Sequence, residues 1–316
     1  MTRKLNVILS GGHFLGVILH AGAVAELHRQ CQANDWTIAN IGGLSAGAMI
    51  AAAYASGHDD PGLRQIVTEH MIASGAARRG MPIAEADYLA LGARLIDGDE
   101  RGWPALYRTN RIQRTVGVCA ASRLKGMHQA RFRCVAANVS NRNSIAPVKR
   151  VFDSVDDGGL VTRAVVLASM AIPLGFPLVE IGGNVYCDGA LAVGNTPYDL
   201  WRDIDPRGAD TVILRIQRPL RKASPSKRVF GLAQDAIETA LAALDRLSLE
   251  RKPPLAKAID IPATGPGDCF DIDEADAIVK FDGAAAVVAS QVPWLQRQAV
   301  MGCPVCIGIG KCDVCK

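Results

Sequence analysis

The pattern of apolar and polar positions divides the chain into alternating strands and helices. Short apolar runs predict strands, and they lie at residues 5–9, 37–41, 132–139, 211–216 and 259–261. Segments with apolar positions every three or four residues, or rich in helix-forming residues, predict helices, and they lie at residues 17–27, 46–55, 159–170, 229–247 and 273–289. Such alternation predicts an α/β protein.

Composition supports this prediction. The chain has 316 residues, 49% of them hydrophobic and only 5% aromatic. Abundant glycine and alanine suit close packing of helices on a sheet better than a β-sandwich. We expect a large α/β domain at residues 1–295 and a small cysteine-rich tail at residues 296–316. The apolar stripe of the helix at residues 229–247 is expected to face the core rather than a partner.

The sequence also indicates a cellular setting. Asn6 and Ser10 interrupt the first apolar run too early for a signal peptide, and there is no apolar run of 18 residues. Nine cysteines, an odd number, favour reduced thiols or metal ligands over a disulfide framework. We therefore expect a cytoplasmic protein. The net charge of +4 is too mild to make nucleic acid the expected partner.

One region carries a strong charge bias. Residues 101–150 contain eleven Lys or Arg and no Asp or Glu. Such a block can attract an anionic membrane surface, which would make the protein peripheral at membranes. The favoured alternative is a set of solvated helix faces whose counter-charges lie elsewhere, for example in the acidic residues between 268 and 276.

A G-x-S-x-G motif occupies residues 43–47, between a predicted strand and a predicted helix. A serine at such a sharp turn presents its hydroxyl at the carboxyl edge of the sheet, and here it also lies at a helix N-terminus. Ser45 is therefore a candidate nucleophile. The alternative is a packing turn built from small residues.

An earlier glycine turn, Ser10-Gly11-Gly12, precedes the first helix. A dinucleotide site needs G-x-G-x-x-G, and His13 occupies its third position, which excludes that interpretation. Because the turn lies just before the strand that leads to Ser45, its N–H groups are candidates for an oxyanion-binding loop.

A nucleophilic serine needs a base. The last of the six histidines is His128, so no histidine follows in the final 188 residues. The α/β-hydrolase order, in which an acid and then a histidine follow the serine, is thereby excluded. The base is either an early histidine or a carboxylate.

Four separated motifs follow one another along the chain. They are the glycine turn with Gly16 and Gly22, the serine turn at residues 43–47, the segment Ala168-Ser169-Met170-Ala171-Ile172-Pro173, and Asp188-Gly189 with Asn195 and Pro197. Together they resemble the patatin-like acyl hydrolase family. The resemblance covers residues 5–200 and implies a three-layer fold with a mostly parallel central sheet between helices and a nucleophile elbow at Ser45.

The resemblance also implies a Ser-Asp dyad. In it Asp188 is the general base toward Ser45, the N–H groups of Gly11, Gly12 and His13 bind the oxyanion, and no catalytic cofactor is required. The supporting glycines are Gly16, Gly43, Gly47 and Gly189. An aspartate with its ordinary pKa, near ~3.9, is a weak base at neutral pH. It must therefore work through short distance and exclusion of water.

The glycine turn departs from the family pattern at two positions. His13 replaces a glycine, and Leu15 replaces a basic residue that could attract an anionic headgroup. Histidine tolerates left-handed dihedrals better than most residues, so the loop can still form. Because the basic residue is missing, a neutral ester or a thioester becomes an expected substrate in addition to a phospholipid.

The tail carries separate chemistry. Cys303 and Cys306, and then Cys312 and Cys315, form two C-x-x-C pairs five residues apart. Four thiolates suit a tetrahedral zinc ion, and the spacing resembles part of the cysteine-rich zinc repeats of J-domain co-chaperones. Ligands shared between two chains, or a redox-active cluster, are open alternatives. The five other cysteines are expected in the core.

The expected function is lipid ester hydrolysis through an acyl-serine intermediate. An acyltransferase or thioesterase would use the same dyad and differ only in the acyl acceptor or leaving group. A third hypothesis is a non-catalytic protein that keeps the fold and binds a protein partner through its zinc tail.

Overall fold

A single sheet organises the part of the chain that the structure describes. This computed structural model describes residues 2–73, 110–120, 130–140, 147–157, 163–173, 176–217, 229–263 and 272–301. Its strands are β1 (Arg3–Leu9), β2 (Trp36–Gly43), β3 (Arg131–Asn138), β4 (Val148–Asp153), β5 (Val179–Ile181), β6 (Asn184–Asp188), β7 (Thr211–Gln217) and β8 (Lys257–Pro262).

Helices follow most of these strands. They are α1 (His13–Ala33), α2 (Ala46–Ala55), α3 (Asp60–Gln65), α4 (Asn110–Cys119), α5 (Arg163–Met170), α6 (Ala190–Val193), α7 (Val229–Leu249) and α8 (Glu274–Met301), with a π-helical segment at Ile66–Ala73. The predicted alternation of strands and helices is confirmed.

The sheet is parallel through its centre. Neighbouring strands follow the order β3, β2, β1, β7, β8, and each of these pairs is parallel. The strands β4, β5 and β6 add antiparallel pairs at the β3 end. This confirms a mostly parallel central sheet.

The register of β3 brings two distant segments together. Antiparallel β4 pairs with one edge of β3 from Arg133 to Asn138, so every other partner of these residues lies on the opposite edge. There β2 ends with Gly43 beside Cys134, and β6 ends with Asp188 beside Ala136. Asp188 therefore lies two positions along β3 from the end of β2, where the chain turns through Ser45.

Alternate residues of the strands supply two separate cores. Val7 and Leu9 face a large core that includes α1, α2 and α8, whereas Ile8 faces a smaller core with Tyr198 and Trp201. Strands β1, β3 and β7 bury both faces, as expected when helices or other segments cover both sides of a sheet. The three-layer prediction is confirmed.

Several predicted boundaries need correction. The first helix starts at His13 rather than at residue 17, and the last helix continues to Met301 rather than stopping at residue 289. The domain boundary predicted at residue 295 lies within α8 and stays a prediction. Strand β4 was not predicted, because Lys149 and Arg150 interrupt its apolar pattern. Leu247, assigned to the buried stripe of α7, is 60% exposed.

Two further expectations concern the cysteines and membrane-spanning helices. Cys31, Cys119, Cys134 and Cys187 are buried free thiols, as predicted, while Cys269 lies outside the described residues. Among the described residues, no helix combines the length and apolar character needed to cross a membrane. The cytoplasmic location stays a prediction.

Candidate active site

Ser45 lies at the sharp turn between β2 and α2. Its backbone has φ of 52° and ψ of −123°, so it lies in a region that residues with a Cβ rarely adopt. Only 7% of the residue is exposed. This is the strained strand-to-helix turn that the motif predicted.

The glycines of the motif allow this turn to approach β1. A Cβ at Gly43 would overlap the carbonyl oxygen of Leu9, and a Cβ at Gly47 would lie 2.5 Å from the carbonyl oxygen of Ser10. Both contacts are with backbone atoms, which cannot move aside as a side chain can. The small residues therefore hold the serine turn directly against the start of the glycine turn.

Asp188 ends β6 and is almost completely buried. Its N–H donates to the carbonyl oxygen of Ala171 at 2.9 Å, and its Oδ1 accepts from the N–H of Ala190 at 2.9 Å. Next to it, a Cβ at Gly189 would overlap the carbonyl oxygen of Val135. The main chain of Asp188 is thus fixed by Ala171, and its carboxylate is held by the N–H of Ala190.

The environment of Asp188 makes it a stronger base than an ordinary aspartate. Burial raises the pKa of its carboxyl from 3.8 to about 6, against the opposing effects of the Ala190 N–H and of the Ser45 side chain, which donates toward the carboxylate.

Ser169 supports the nucleophile, a role that sequence reasoning missed. Its Oγ accepts from the N–H of Ser45 at 3.0 Å and donates to the carbonyl oxygen of Val135 at 2.6 Å. It is fully buried at the end of α5. The sequence feature that could have indicated this role is the motif from Ala168 to Pro173, which contains Ser169.

The glycine turn lies beside the serine turn, but one expected donor is occupied. The N–H of Gly11 donates to the carbonyl oxygen of Asn195 at 2.7 Å, so the prediction that Gly11 offers an oxyanion donor does not fit this geometry. In the sequence Asn195 is only part of a family motif, and its place in that motif does not predict the contact with Gly11.

The two departures in this turn have structural counterparts. His13 begins α1 with φ of 53°, a left-handed conformation that histidine adopts more readily than most residues. Leu15 is half-buried and packs against the large core. A Cβ at Gly16 would lie 3.3 Å from the Cβ of Ala46, so the glycine allows α1 and α2 to pack closely.

Four members of the basic block, Arg131, Arg133, Lys149 and Arg150, are paired with aspartates. Arg131 and Arg133 both contact Asp153, and Arg133 also forms a bidentate pair with Asp203 at 2.6 and 2.7 Å. Further pairs join Lys149 to Asp199 and Arg150 to Asp157. For these four residues the counter-charges lie at residues 153–203, rather than among the acidic residues after 267 that the sequence suggests.

An apolar cleft of about 290 Å³ lies beside the end of α5. Its wall includes Leu167 and Met170, on the same short helix as Ser169, and continues through Phe176 and Val179. The cleft therefore adjoins the helix whose Ser169 touches the Ser45 backbone.

No cluster of His, Cys, Asp or Glu that could hold a metal ion occurs within the described residues. The four cysteines predicted to bind zinc, Cys303, Cys306, Cys312 and Cys315, lie outside them. The zinc site stays a prediction from the sequence.

Comparison with solved structures places this architecture among known ones. VipD from Legionella pneumophila has a TM-score of 0.50 and 14% identity, over 93% of this chain and 67% of VipD. The type III effector protein ExoU has a TM-score of 0.38 and 14% identity, over 93% of this chain and 53% of ExoU. At such low identity the likeness to VipD concerns the fold alone.

Comparison at the level of sequence identifies the family. Curated proteins give no match. The family model described as patatin-like phospholipase matches residues 7–200, more than half of the chain, and this range contains both Ser45 and Asp188. The chain therefore belongs to the patatin-like phospholipase family of lipid hydrolases.

Proposed function

We propose that the protein is a serine hydrolase that cleaves carboxylic esters of lipids through Ser45, Asp188 and an acyl-serine intermediate. One observation carries the proposal. The register of β3 brings a serine in a strained turn to a buried aspartate whose carboxyl has a pKa raised to about 6. A base is most effective when its pKa lies near the working pH, which this environment favours.

In the first half of the reaction, Asp188 takes the hydroxyl proton of Ser45 while Oγ attacks the ester carbonyl carbon. The carbonyl oxygen becomes an oxyanion, which backbone N–H groups of the glycine turn stabilise. When the C–O bond to the leaving alcohol breaks, Asp188 returns the proton to that alcohol. The acyl group is then bonded to Ser45.

In the second half, water takes the place of the alcohol. Asp188 accepts a proton from the water as its oxygen attacks the acyl carbon, and the same N–H groups stabilise the second oxyanion. Breaking the bond to Oγ releases the fatty acid, and the proton on Asp188 restores the serine hydroxyl.

The surroundings of the dyad favour an apolar acyl group. The cleft beside Leu167 and Met170 offers a chain an apolar surface next to α5. Leu15 stands where a basic residue could have attracted an anionic headgroup, and it is half-buried against the core. We therefore expect neutral esters as well as phospholipids to be substrates.

An assay on purified protein tests this function. Wild type is compared with Ser45→Ala and with Ser290→Ala, which changes an exposed serine on α8, on phospholipid, diacylglycerol, a short p-nitrophenyl ester and an acyl thioester. Loss of the nucleophile should lower kcat by at least roughly 10³-fold. Ser290→Ala should match wild type.

The same assay addresses the alternatives. Equal rates for wild type and Ser45→Ala would remove the enzymatic proposal and leave a non-catalytic protein. Transfer of the acyl group to added glycerol in preference to water would identify an acyltransferase. A preference for the thioester would identify a thioesterase.

A further inference from the structure

Most backbone polar groups of the glycine turn already have partners. The carbonyl oxygen of Ser10 accepts from Nε2 of His20 at 2.8 Å. The N–H of Gly11 donates to the carbonyl oxygen of Asn195 at 2.7 Å. The carbonyl oxygen of Gly11 accepts from Ser10 Oγ at 2.8 Å and from Asn195 Nδ2 at 3.3 Å. Two consecutive peptide groups are thereby fixed in orientation.

The fixed peptides determine where the next N–H points. In a planar trans peptide the C=O and the following N–H point in opposite directions. Since the Gly11 C=O is held by Ser10 and Asn195, the Gly12 N–H faces away from both. Among the described residues this N–H has no acceptor, whereas the Gly12 carbonyl oxygen accepts from the N–H of Gly16 at 2.7 Å.

We infer that His20 and Asn195 are positioning residues that fix the orientation of the Gly12 N–H, one of the oxyanion donors that the family resemblance implies. The inference rests on the proposed hydrolase function. It assigns importance for catalysis to two side chains that form no hydrogen bond with Ser45 or Asp188 among the described residues. Their effect passes through the Ser10–Gly11 and Gly11–Gly12 peptides.

The state of His20 fits positioning rather than proton transfer. A carbonyl oxygen can only accept, so Nε2 carries the proton. Burial lowers the pKa of this fully buried ring to about 4, which keeps it neutral at neutral pH. Its Nδ1 has no partner among the described residues. A leucine at position 20 would remove this unpartnered nitrogen, but it would also remove the hydrogen bond to the Ser10 carbonyl oxygen.

Asn195 acts through both its backbone and its side chain. Because its carbonyl oxygen holds the Gly11 N–H, substitution of the side chain removes only the bond from Nδ2 to the Gly11 carbonyl oxygen. Asn195→Ala therefore loosens the Gly11–Gly12 peptide without removing the backbone contact. It offers a test that is independent of the buried histidine.

The experiment compares wild type, His20→Leu, His20→Gln and Asn195→Ala on a short acyl ester. Glutamine can place an amide donor near the position of the histidine Nε2. His28→Leu is the matched control, since His28 lies on the same helix and bonds Tyr54 rather than the glycine turn. Each variant is also tested with an alkyl trifluoromethyl ketone, whose adduct with serine carries an oxyanion.

Removing one oxyanion donor lowers kcat by roughly 10²–10³-fold, so misaiming one should lower it by about tenfold or more. We expect that loss in His20→Leu and Asn195→Ala, with KM nearly unchanged and ketone affinity reduced in parallel. His20→Gln should recover much of the loss, and His28→Leu should keep wild-type kcat. Melting temperatures identify any variant that fails to fold, in which case Asn195→Ala decides.

Wild-type kcat in folded His20→Leu and Asn195→Ala would overturn the inference, as would an equal loss in His28→Leu. Failure of the proposed function is distinct, because wild type itself would then show no Ser45-dependent hydrolysis.

Discussion

Replacing Asp188 by asparagine should stabilise the folded protein at neutral pH while it abolishes hydrolysis. At pH 7 the wild-type fold holds a carboxylate that is only 3% exposed. Asparagine has nearly the same shape, carries no charge, and keeps a side-chain oxygen that can accept from the N–H of Ala190. The substitution therefore removes the cost of burying a charge with little change in packing.

The magnitude follows from the pKa of the carboxyl. Burial raises that pKa from 3.8 to about 6, and a change of one pKa unit corresponds to about 1.4 kcal/mol. Because the folded protein binds this proton more tightly than the unfolded chain, the contribution of Asp188 to stability is present below pH 3.8 and is lost as the pH rises through about 6. The advantage of Asp188→Asn over wild type should therefore grow by roughly 2–3 kcal/mol between pH 4 and pH 7.

Urea unfolding followed by tryptophan fluorescence measures this difference at several pH values between 4 and 8. Ser45→Ala is the control, because it also removes activity but keeps the carboxylate, and it should retain the pH-dependent loss of stability. A difference between Asp188→Asn and wild type that does not change with pH would refute the reasoning. A stability advantage of Asp188→Asn over wild type that is smaller at pH 7 than at pH 4 would also refute it.

Three other predictions concern the base, the serine turn and the tail. The kcat/KM of wild type should fall about tenfold per pH unit below about pH 6, since Asp188 must be deprotonated to act; a profile that stays flat to pH 5 would contradict this role. Ser169→Ala should lower the free energy of unfolding by about 1–3 kcal/mol and reduce kcat, because it leaves the buried N–H of Ser45 and C=O of Val135 without a partner; unchanged urea midpoints and rates would contradict it. Purified protein should contain about one zinc ion per chain, lost in Cys303→Ser, and chelation should leave hydrolysis intact; absence of metal from wild type would remove the zinc proposal.

Much of the centre of the fold could be predicted from the sequence. Buried parallel strands give short, continuous apolar runs, and β1 and β7 have that pattern. The turn at Ser45 was also predictable, because two glycines and the helix-forming residues after them leave few other structures. Local patterns of this kind depend on neighbours in the chain.

The parts that were missed depend on contacts between distant residues. Strand β4 pairs with β3 and carries Lys149 and Arg150. Ion pairs with aspartates neutralise these two charges, so a strand without an apolar pattern can form there. Ser169 reaches Ser45 across 124 positions of the chain, and Asn195 reaches Gly11 across 184. A hydrogen bond of that kind has no periodic trace in the sequence.

His20 illustrates an intermediate case. It follows Gly16 by four positions and so shares its helix face, which was the available signal that it lies near the glycine turn. The signal gave no partner, because any of several backbone oxygens could have accepted its proton.

The most direct test of the account is to trap the acyl-serine intermediate and locate it. Wild-type protein is mixed with a slowly hydrolysed acyl ester or a fluorophosphonate, quenched in acid, digested and analysed by mass spectrometry. The account predicts a single adduct on the peptide that contains Ser45, absent in Ser45→Ala and formed much more slowly in Asp188→Asn. An adduct on another residue, or equal labelling of wild type and Ser45→Ala, would contradict it.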